Sequence, residues 1–205
     1  MRLTMETSLK PAIDWKQRLF FRFSHPWAPT ALFGPIALLL AAISLDLQPR
    51  SWAFTALALV AGIFYWTLIE YVLHRFVFHW VQAKEPWKTL ASGLHMAHHK
   101  DTEVKDLIIA PPLVSLIFSS FIFISLCALT WDYRLALLVL AGVFFGYILY
   151  EWAHYGSHKF QPKNAMLRYL KAYHLRHHFK HPHGTFGVTT PMWDYVFGTT
   201  YKPKA

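Results

Sequence analysis

Four stretches of this chain, 28–45, 51–69, 107–131 and 135–150, carry no charged residue. An apolar helix needs about 17–25 residues to cross the hydrocarbon core of a bilayer, and inside it every backbone polar group must be satisfied by the segment itself. The fourth run is short by that measure, but Glu151, Trp152 and Ala153 extend it toward the polar residues that follow. The expected fold is all-α and integral to a membrane, with four transmembrane helices joined by short turns at 46–50 and 132–134. Composition agrees: 15% of the residues are charged and 55% hydrophobic, whereas a soluble domain carries about 25% charged residues.

Ten of the thirteen histidines fall between and after these runs, in four clusters. They are His74 and His79; His95, His98 and His99; His154 and His158; and His174, His177 and His178. Residues at i, i+3 and i+4 share a helix face, so each H-x2-H-H triplet is expected to offer three imidazoles to one point, and His154 and His158 also share a face. His74 and His79 lie about 140° apart on an ideal helix, so they either straddle a helix end or serve two different ions. A lone histidine is usually an ordinary polar residue. Four tight clusters, two with identical spacing, form the pattern of a metal site.

The parity of the spans supports that reading. With four crossings, the segment 1–27, the insert 74–106 and the tail after 153 all meet on one side, and so do all ten clustered histidines. Of twenty lysines and arginines, eighteen fall on that side and only Arg50 and Arg134 on the other. The positive-inside rule makes the histidine face cytoplasmic. The chain is expected to be a single domain over 1–205, with an interfacial N-terminal segment at 1–27, four spans within 28–153, and a cytoplasmic helical cap at 154–205.

In the N-terminal segment Lys10, Lys16, Arg18 and Arg22 alternate with Trp15, Leu19, Phe20, Phe21 and Phe23, which suits a helix lying in the headgroup region. Pro86 marks a break at 83–87, after which 88–100 is expected to form a short helix. No signal peptide is expected, since the first strongly apolar run starts near residue 28. The single cysteine, Cys127, provides neither a disulfide nor a thiolate site. The net charge of +9 comes from residues that flank the apolar runs and form no separate stripe, which excludes nucleic acid as a partner.

Neutral imidazole suits zinc, iron, copper and nickel. One ion takes four to six ligands, so ten histidines point to two ions with about five each, leaving a position open for oxygen or water. Structural zinc rarely needs so many ligands, and a transporter would carry polar groups along its spans. Two redox metals capping an apolar bundle are suited to activating dioxygen against an unactivated C–H bond of a lipid tail. Glu70, Glu151, Asp101 and Asp194 lie near the clusters, and a carboxylate can hold the far nitrogen of an imidazole. The site is read as all-histidine, unlike the Glu-x-x-His kind found in soluble di-iron bundles. A desaturase or hydroxylase of sterols or other lipids is the alternative among enzymes, and a non-enzymatic metal-binding membrane protein the alternative outside them.

At E-Y-V-L-H-R-F-V-F-H (70–79), Pro111-Pro112, Y-E-W-A-H-Y-G-S-H (150–158), L-K-A-Y-H-L-R-H-H-F-K (170–180) and G-T-F-G-V-T-T-P-M-W-D-Y-V-F-G-T (184–199), the sequence resembles the fatty acid hydroxylase superfamily. The resemblance runs from about residue 60 to 200 and is strongest to the fatty acid 2-hydroxylases that act on sphingolipid acyl chains. It implies two iron ions held by the ten histidines, a site that zinc can take in purified protein. It further implies insertion of one oxygen atom from O2 at the carbon next to the acyl carbonyl of a membrane lipid. Electrons would come from a separate donor, such as a b5-type cytochrome or a ferredoxin with its reductase, because the cytochrome domain fused to some members is absent here. Lys159 stands where the family usually has a second histidine, and Val104 and Leu107 where it has an acid and an arginine. His25, His181 and His183 match no ligand position. The compact form favours a bacterial inner membrane over the endoplasmic reticulum.

Overall fold

The computed structural model describes residues 25–80, 82, 84–86 and 88–202. The interfacial segment expected at 1–27 therefore lies outside the described residues except for its last three. In chain order the helices are α1 (Ala28–Leu47), α2 (Trp52–Val72), α3 (Leu94–Lys100), α4 (Lys105–Ile108), α5 (Pro112–Thr130), α6 (Tyr133–Lys159), α7 (Ala165–Phe179) and α8 (Met192–Val196). Two π-helical segments adjoin them, Leu73–Phe78 at the end of α2 and Lys88–Gly93 before α3.

Among the described residues, four helices are long and apolar enough to cross a membrane: α1, α2 with its extension to Phe78, α5 and α6. The 20 residues of α1 make about 30 Å of helix, the thickness of a hydrocarbon core. Local chemistry sets where these helices begin. Ser51 accepts the Phe54 N–H at the start of α2, Asp132 accepts that of Arg134 at the start of α6, and Pro29 and Pro112 occupy first-turn positions that need no donor. The third apolar run becomes helical later than its hydropathy suggests. A residue preceding proline is driven out of the α region, so Pro111 stays out of it, α5 starts at Pro112, and the buried stretch Leu107, Ile108 and Ile109 folds over the bundle.

The axis of the bundle is α6. It packs against α1, α2 and α5 and continues without a break into the histidine-bearing cap, 27 residues in all. Phe33 of α1 meets Phe144 and Tyr147 of α6 with ring centroids 5.0 Å apart, and Trp66 of α2, Ile122 and Leu126 of α5, and Leu140 and Val143 of α6 complete the core. The closest crossing joins α2 and α6. A Cβ added at Gly62 would lie 2.1 Å from the Val139 carbonyl oxygen, and one at Gly142 would lie 2.2 Å from that of Leu59. The two backbones touch there, as small residues allow in lipid, where helices associate by packing rather than by a hydrophobic drive. Leu38, Leu57, Val60 and Leu129 are exposed on the outer faces, where the acyl chains of a bilayer would cover them.

The expected parity is observed. At one end the two short turns are tied together by Arg50 and Asp132 at 2.9 Å and by the Ser44 hydroxyl donating to the Arg134 carbonyl at 2.6 Å. At the other end the start of α1 meets the cap end of α6, where the Trp152 indole donates to Thr30 at 2.9 Å.

Candidate metal centre

All ten clustered histidines meet at this second end, in two groups of five. One group is His74, His79, His95, His99 and His177, and the other His98, His154, His158, His174 and His178; the donor atoms of each lie within 4.8 Å of one another. The first group draws on the end of α2, on α3 and on α7, and the second on α3, α6 and α7. The partition differs from the sequence expectation. Neither triplet aims at one point: His95 and His99 join the first group and His98 the second, while His174 and His178 join the second and His177 the first. On a helix, i and i+4 differ by about 40° in direction, whereas i+3 lies about 60° from i on the other side. The i, i+4 pair therefore serves one group and the i+3 residue swings to its neighbour. His99 and His178 stack at 4.1 Å where the groups adjoin.

His74 and His79 belong to the same group, against the reading that they serve different ions. A π-helical segment reconciles their spacing with a shared direction, since the His79 N–H reaches the His74 carbonyl at 3.2 Å and an i→i+5 turn places residues five apart one above the other. His79 also ends the helix, in line with the other reading.

Hydrogen bonds settle how some rings are turned. Nδ1 of His74 faces the Phe186 carbonyl at 2.5 Å and Nδ1 of His177 the Gly184 carbonyl at 2.7 Å. A carbonyl only accepts, so these nitrogens carry the ring proton and Nε2 presents its lone pair to the interior. Nε2 atoms of neighbouring rings then sit 3.0–3.2 Å apart around the first group and 2.8–3.1 Å around the second. Lone pairs gathered at such distances repel unless a cation lies among them. Metal–nitrogen bonds of about 2.1 Å at right angles place adjacent nitrogens roughly 3.0 Å apart, so the residues fit one divalent ion in each group. Burial first, and neighbouring imidazoles second, lower His98, His99 and His178 to about 2 and His79 to about 3. Burial also lowers His177 to about 4 against the opposing bond to Gly184. Imidazole binds metal only when neutral, and these rings stay neutral throughout the physiological range.

The four carboxylates are placed differently from one another. Glu70 is buried and accepts the N–H groups of Val188 at 2.5 Å and Thr189 at 3.0 Å, as well as the Thr189 hydroxyl. Asp194 accepts the N–H groups of Phe186 and Gly187, both at 2.8 Å, and the Thr199 hydroxyl at 2.6 Å. Neither reaches a histidine. Together they clamp the loop 184–189, whose carbonyls hold His74 and His177, so they act on the imidazoles through the backbone. Gly187 is required for this approach, because a Cβ there would meet the Thr190 carbonyl oxygen at 2.0 Å and the Asp194 carboxylate at 3.1 Å. Asp101 accepts the Glu103 N–H at 3.3 Å within its own loop.

Glu151 is 1% exposed. One of its oxygens accepts the Ala110 N–H at 3.3 Å, and the other has no protein partner. Glu151 and His154 do have the Glu-x-x-His spacing of soluble di-iron bundles, yet Glu151 is not among the five donors of either group, and both groups consist of histidines.

Below the histidines opens an apolar slot with about 920 Å³ of empty space, its open mouth included. His95, His98 and His154 line its upper end, with Glu70 and Glu151 beside them; Phe118 and Tyr147 line its middle. Leu107 is buried in its wall, where it adds to the apolar lining. Lys159 donates to the carbonyl of Glu103 at 2.8 Å and to its carboxylate at 3.0 Å, tying α6 to the loop before α4. His25, His181 and His183 belong to neither group, and His181 packs on Tyr201. The aromatic segment near the end docks on α2, where the Trp193 indole donates to Thr67 at 2.9 Å.

The fatty acid hydroxylase family model matches residues 59–199, which include every histidine of both groups. The chain belongs to the fatty acid hydroxylase family. It is 35% identical over 182 residues to a dihydroceramide fatty acyl 2-hydroxylase of Arabidopsis thaliana, covering 87% of this chain and 75% of that protein. It is 36% identical over 203 residues to a ceramide very long chain fatty acid hydroxylase of Saccharomyces cerevisiae, covering 91% of this chain but only 50% of the yeast enzyme. Among solved structures, full-length scs7p with only its hydroxylase domain visible matches with a TM-score of 0.80 at 31% identity, over 90% of this chain and 70% of that one. Membership makes the chain a hydroxylase, and so an oxidoreductase, by family.

Sequence reading missed the carbonyls of Phe186 and Gly184 and the slot wall at 107–109. A backbone oxygen carries no residue identity. The only signal was the glycine-rich run 184–187 beside Asp194.

Proposed function

We propose that this hydroxylase is a membrane monooxygenase that inserts one oxygen atom into a lipid acyl chain, at the carbon next to the carbonyl of a fatty acyl or sphingolipid N-acyl group. The observation that carries the proposal is the stacking of two five-histidine groups directly over an apolar slot between membrane-spanning helices. The names of the Arabidopsis and yeast relatives support this substrate class. The ten histidines are the proposed ligands of two iron ions, and zinc is the competitor expected in purified protein. When bound, such ions supply the activation of O2. Overall, C–H, O2, two electrons and two protons give C–OH and water, and the electrons come from a separate b5-type cytochrome or ferredoxin with its reductase.

The chain's own residues do the rest. Phe186 and Gly184 fix two rings with their lone pairs inward, Glu70 and Asp194 hold the loop that does so, and the slot walls exclude water from the acyl carbon. One domain over 1–205 with a cytoplasmic cap agrees with the distribution of lysines and arginines. The relatives that match are eukaryotic, so they lend nothing to the preference for a bacterial inner membrane, and the proposal is an integral membrane enzyme without that preference.

The test is lipid mass spectrometry after expression in a host supplied with a redox partner. The expected result is a gain of one oxygen on acyl chains, lost in His98→Ala and His177→Ala. A loss of two hydrogens would identify a desaturase, and unchanged lipids in a host with iron-loaded protein would sink the enzymatic reading.

A further inference from the structure

The slot has a floor, and its position is set by the crossing of α2 and α6. Val143 at the bottom and His154 at the top of the lining are eleven helical steps apart on α6, a depth of about 16 Å at the rise of an α-helix. Trp66, Ile122, Val143 and Phe144 are the lowest lining residues, and all four belong to the packed core. Immediately beneath, Gly62 and Gly142 bring the two backbones into contact, so no channel continues between these helices. A Cβ at Gly146 would meet that of Trp66 at 2.6 Å, which pins the indole in place as part of the floor.

The α5 wall is asymmetric. Phe118, Ser119 and Ile122 line the slot, whereas the neighbouring Ser120 is exposed on the outer face. Ser119 is the small residue in the lower half of that wall, and its hydroxyl is satisfied within its own helix by the Ser115 carbonyl at 2.7 Å. It therefore offers room rather than a polar contact. On the opposite side α2 and α5 make no extended contact. Where they do meet, Phe78 lies edge-on to Phe118 at 6.3 Å near the cap and Tyr65 is hydrogen-bonded to Ser125 at 3.2 Å below. A chain lying in the slot is thus bounded below and, at two heights, on its open side.

We infer that Ser119 and Ile122 determine which acyl-chain lengths this enzyme accepts, Ser119 by leaving the lower slot open and Ile122 by closing it. The inference rests on the proposal that the slot holds an acyl chain beneath the metals. A bulky residue at position 119 fills the lower half and strands the terminal methylenes of a long chain against a wall. A small residue at 122 deepens the slot. One methylene gained or lost in an apolar pocket is worth roughly 10- to 200-fold in discrimination, so the effect reads out in product distribution.

The experiment offers the full-length protein, with its redox partner, an equimolar mixture of N-acyl lipids of graded saturated chain length, and compares wild type, Ser119→Phe, Ile122→Ala and Ser120→Phe. Expected are at least a roughly tenfold fall in the ratio of longest to shortest hydroxylated product for Ser119→Phe, a shift to longer chains for Ile122→Ala, and the wild-type profile for Ser120→Phe, which points the same ring at lipid. Displacement of a fluorescent fatty acid by the same graded chains, on purified protein without turnover, is measured beside it. Identical length profiles for wild type and both slot variants in either assay would overturn the inference. Length-dependent displacement that shifts in the variants, in a protein that hydroxylates nothing, would uphold the slot and sink the proposed function. If Ser119→Phe does not fold, Ile122→Ala decides alone.

Discussion

The amide of His79 donates to the carbonyl of His74 at 3.2 Å, across five residues instead of the four of an α-helix. That one wider turn lets both rings point into the same group. Inserting an alanine after Val77 lengthens the spacing to six residues, which an α-helix turns about 120° away from His74 and which one wider turn no longer brings back. The expected outcome is a chain that still folds but carries about one metal ion instead of two, measured by elemental analysis of detergent-purified protein, with hydroxylation lost.

Because His98 and His177 have changed places between the two groups, single substitutions are expected to act on the group across from their own triplet. His98→Ala should lower occupancy beside His174, His177→Ala beside His95, and the double variant should lose both ions. If metal content in the double variant equals that of either single one, the two groups are not separate sites.

Asp194 is fully buried and accepts three hydrogen bonds. Asp194→Asn keeps the shape but turns an NH2 toward backbone N–H groups. Hydrogen bonds to a charged group contribute about 1.5–3 kcal/mol, and outer partners of metal-binding histidines typically matter about 10- to 100-fold in metal affinity. Both a lower unfolding temperature and weaker metal retention against a chelator are expected. Unfolding that shifts without any change in retention would mean the loop does not position His74 and His177.

The metal-free protein should be sensitive to acid. Its histidines outside the spans are lowered, His79 to about 3 and His98, His99 and His178 to about 2, whereas in the unfolded chain they titrate near 6.5. Below that value the unfolded state takes up protons that the folded state refuses, so stability is intact above about pH 6.5 and is lost as pH falls toward the folded values. Thermal unfolding of chelator-treated protein between neutral pH and pH 4.5 should show a midpoint that falls with pH, and metal-loaded protein a smaller fall over the same range.

At the crossing of α2 and α6, Gly62→Ala forces a methyl group against the Val139 carbonyl oxygen. Overpacking of this kind costs about 1–3 kcal/mol, and Gly62→Leu should prevent assembly altogether. Thermal unfolding in detergent reads the first, and loss of a monodisperse peak on gel filtration the second.

Much of this was legible in the sequence. The charge-free runs gave the spans, and their even number put ten histidines at one end, because hydropathy and parity are properties that residue types carry directly. The division of the histidines was not legible. An ideal helix makes 95, 98 and 99 look like one cluster, and only the facing of α3 and α7 decides that 98 turns away. Nor was the π-helical turn, since i→i+5 bonding leaves no mark on composition. The carboxylates were noticed for their nearness to histidines, but Glu70 and Asp194 grip backbone amides and Glu151 lines the slot. The third charge-free run begins at 107, yet the restriction that Pro111 and Pro112 place on the backbone before them delays the spanning helix to Pro112 and leaves 107–109 folded over the slot.

The loop 184–189 has one more consequence, in time rather than in space. The carbonyls that turn His74 and His177 belong to a stretch translated after every histidine they serve, and the carboxylate of Asp194 that secures it comes later still. Until those residues are made, His74 and His177 have no carbonyl to turn them, so both groups are completed only after the walls of the slot below them have been synthesised.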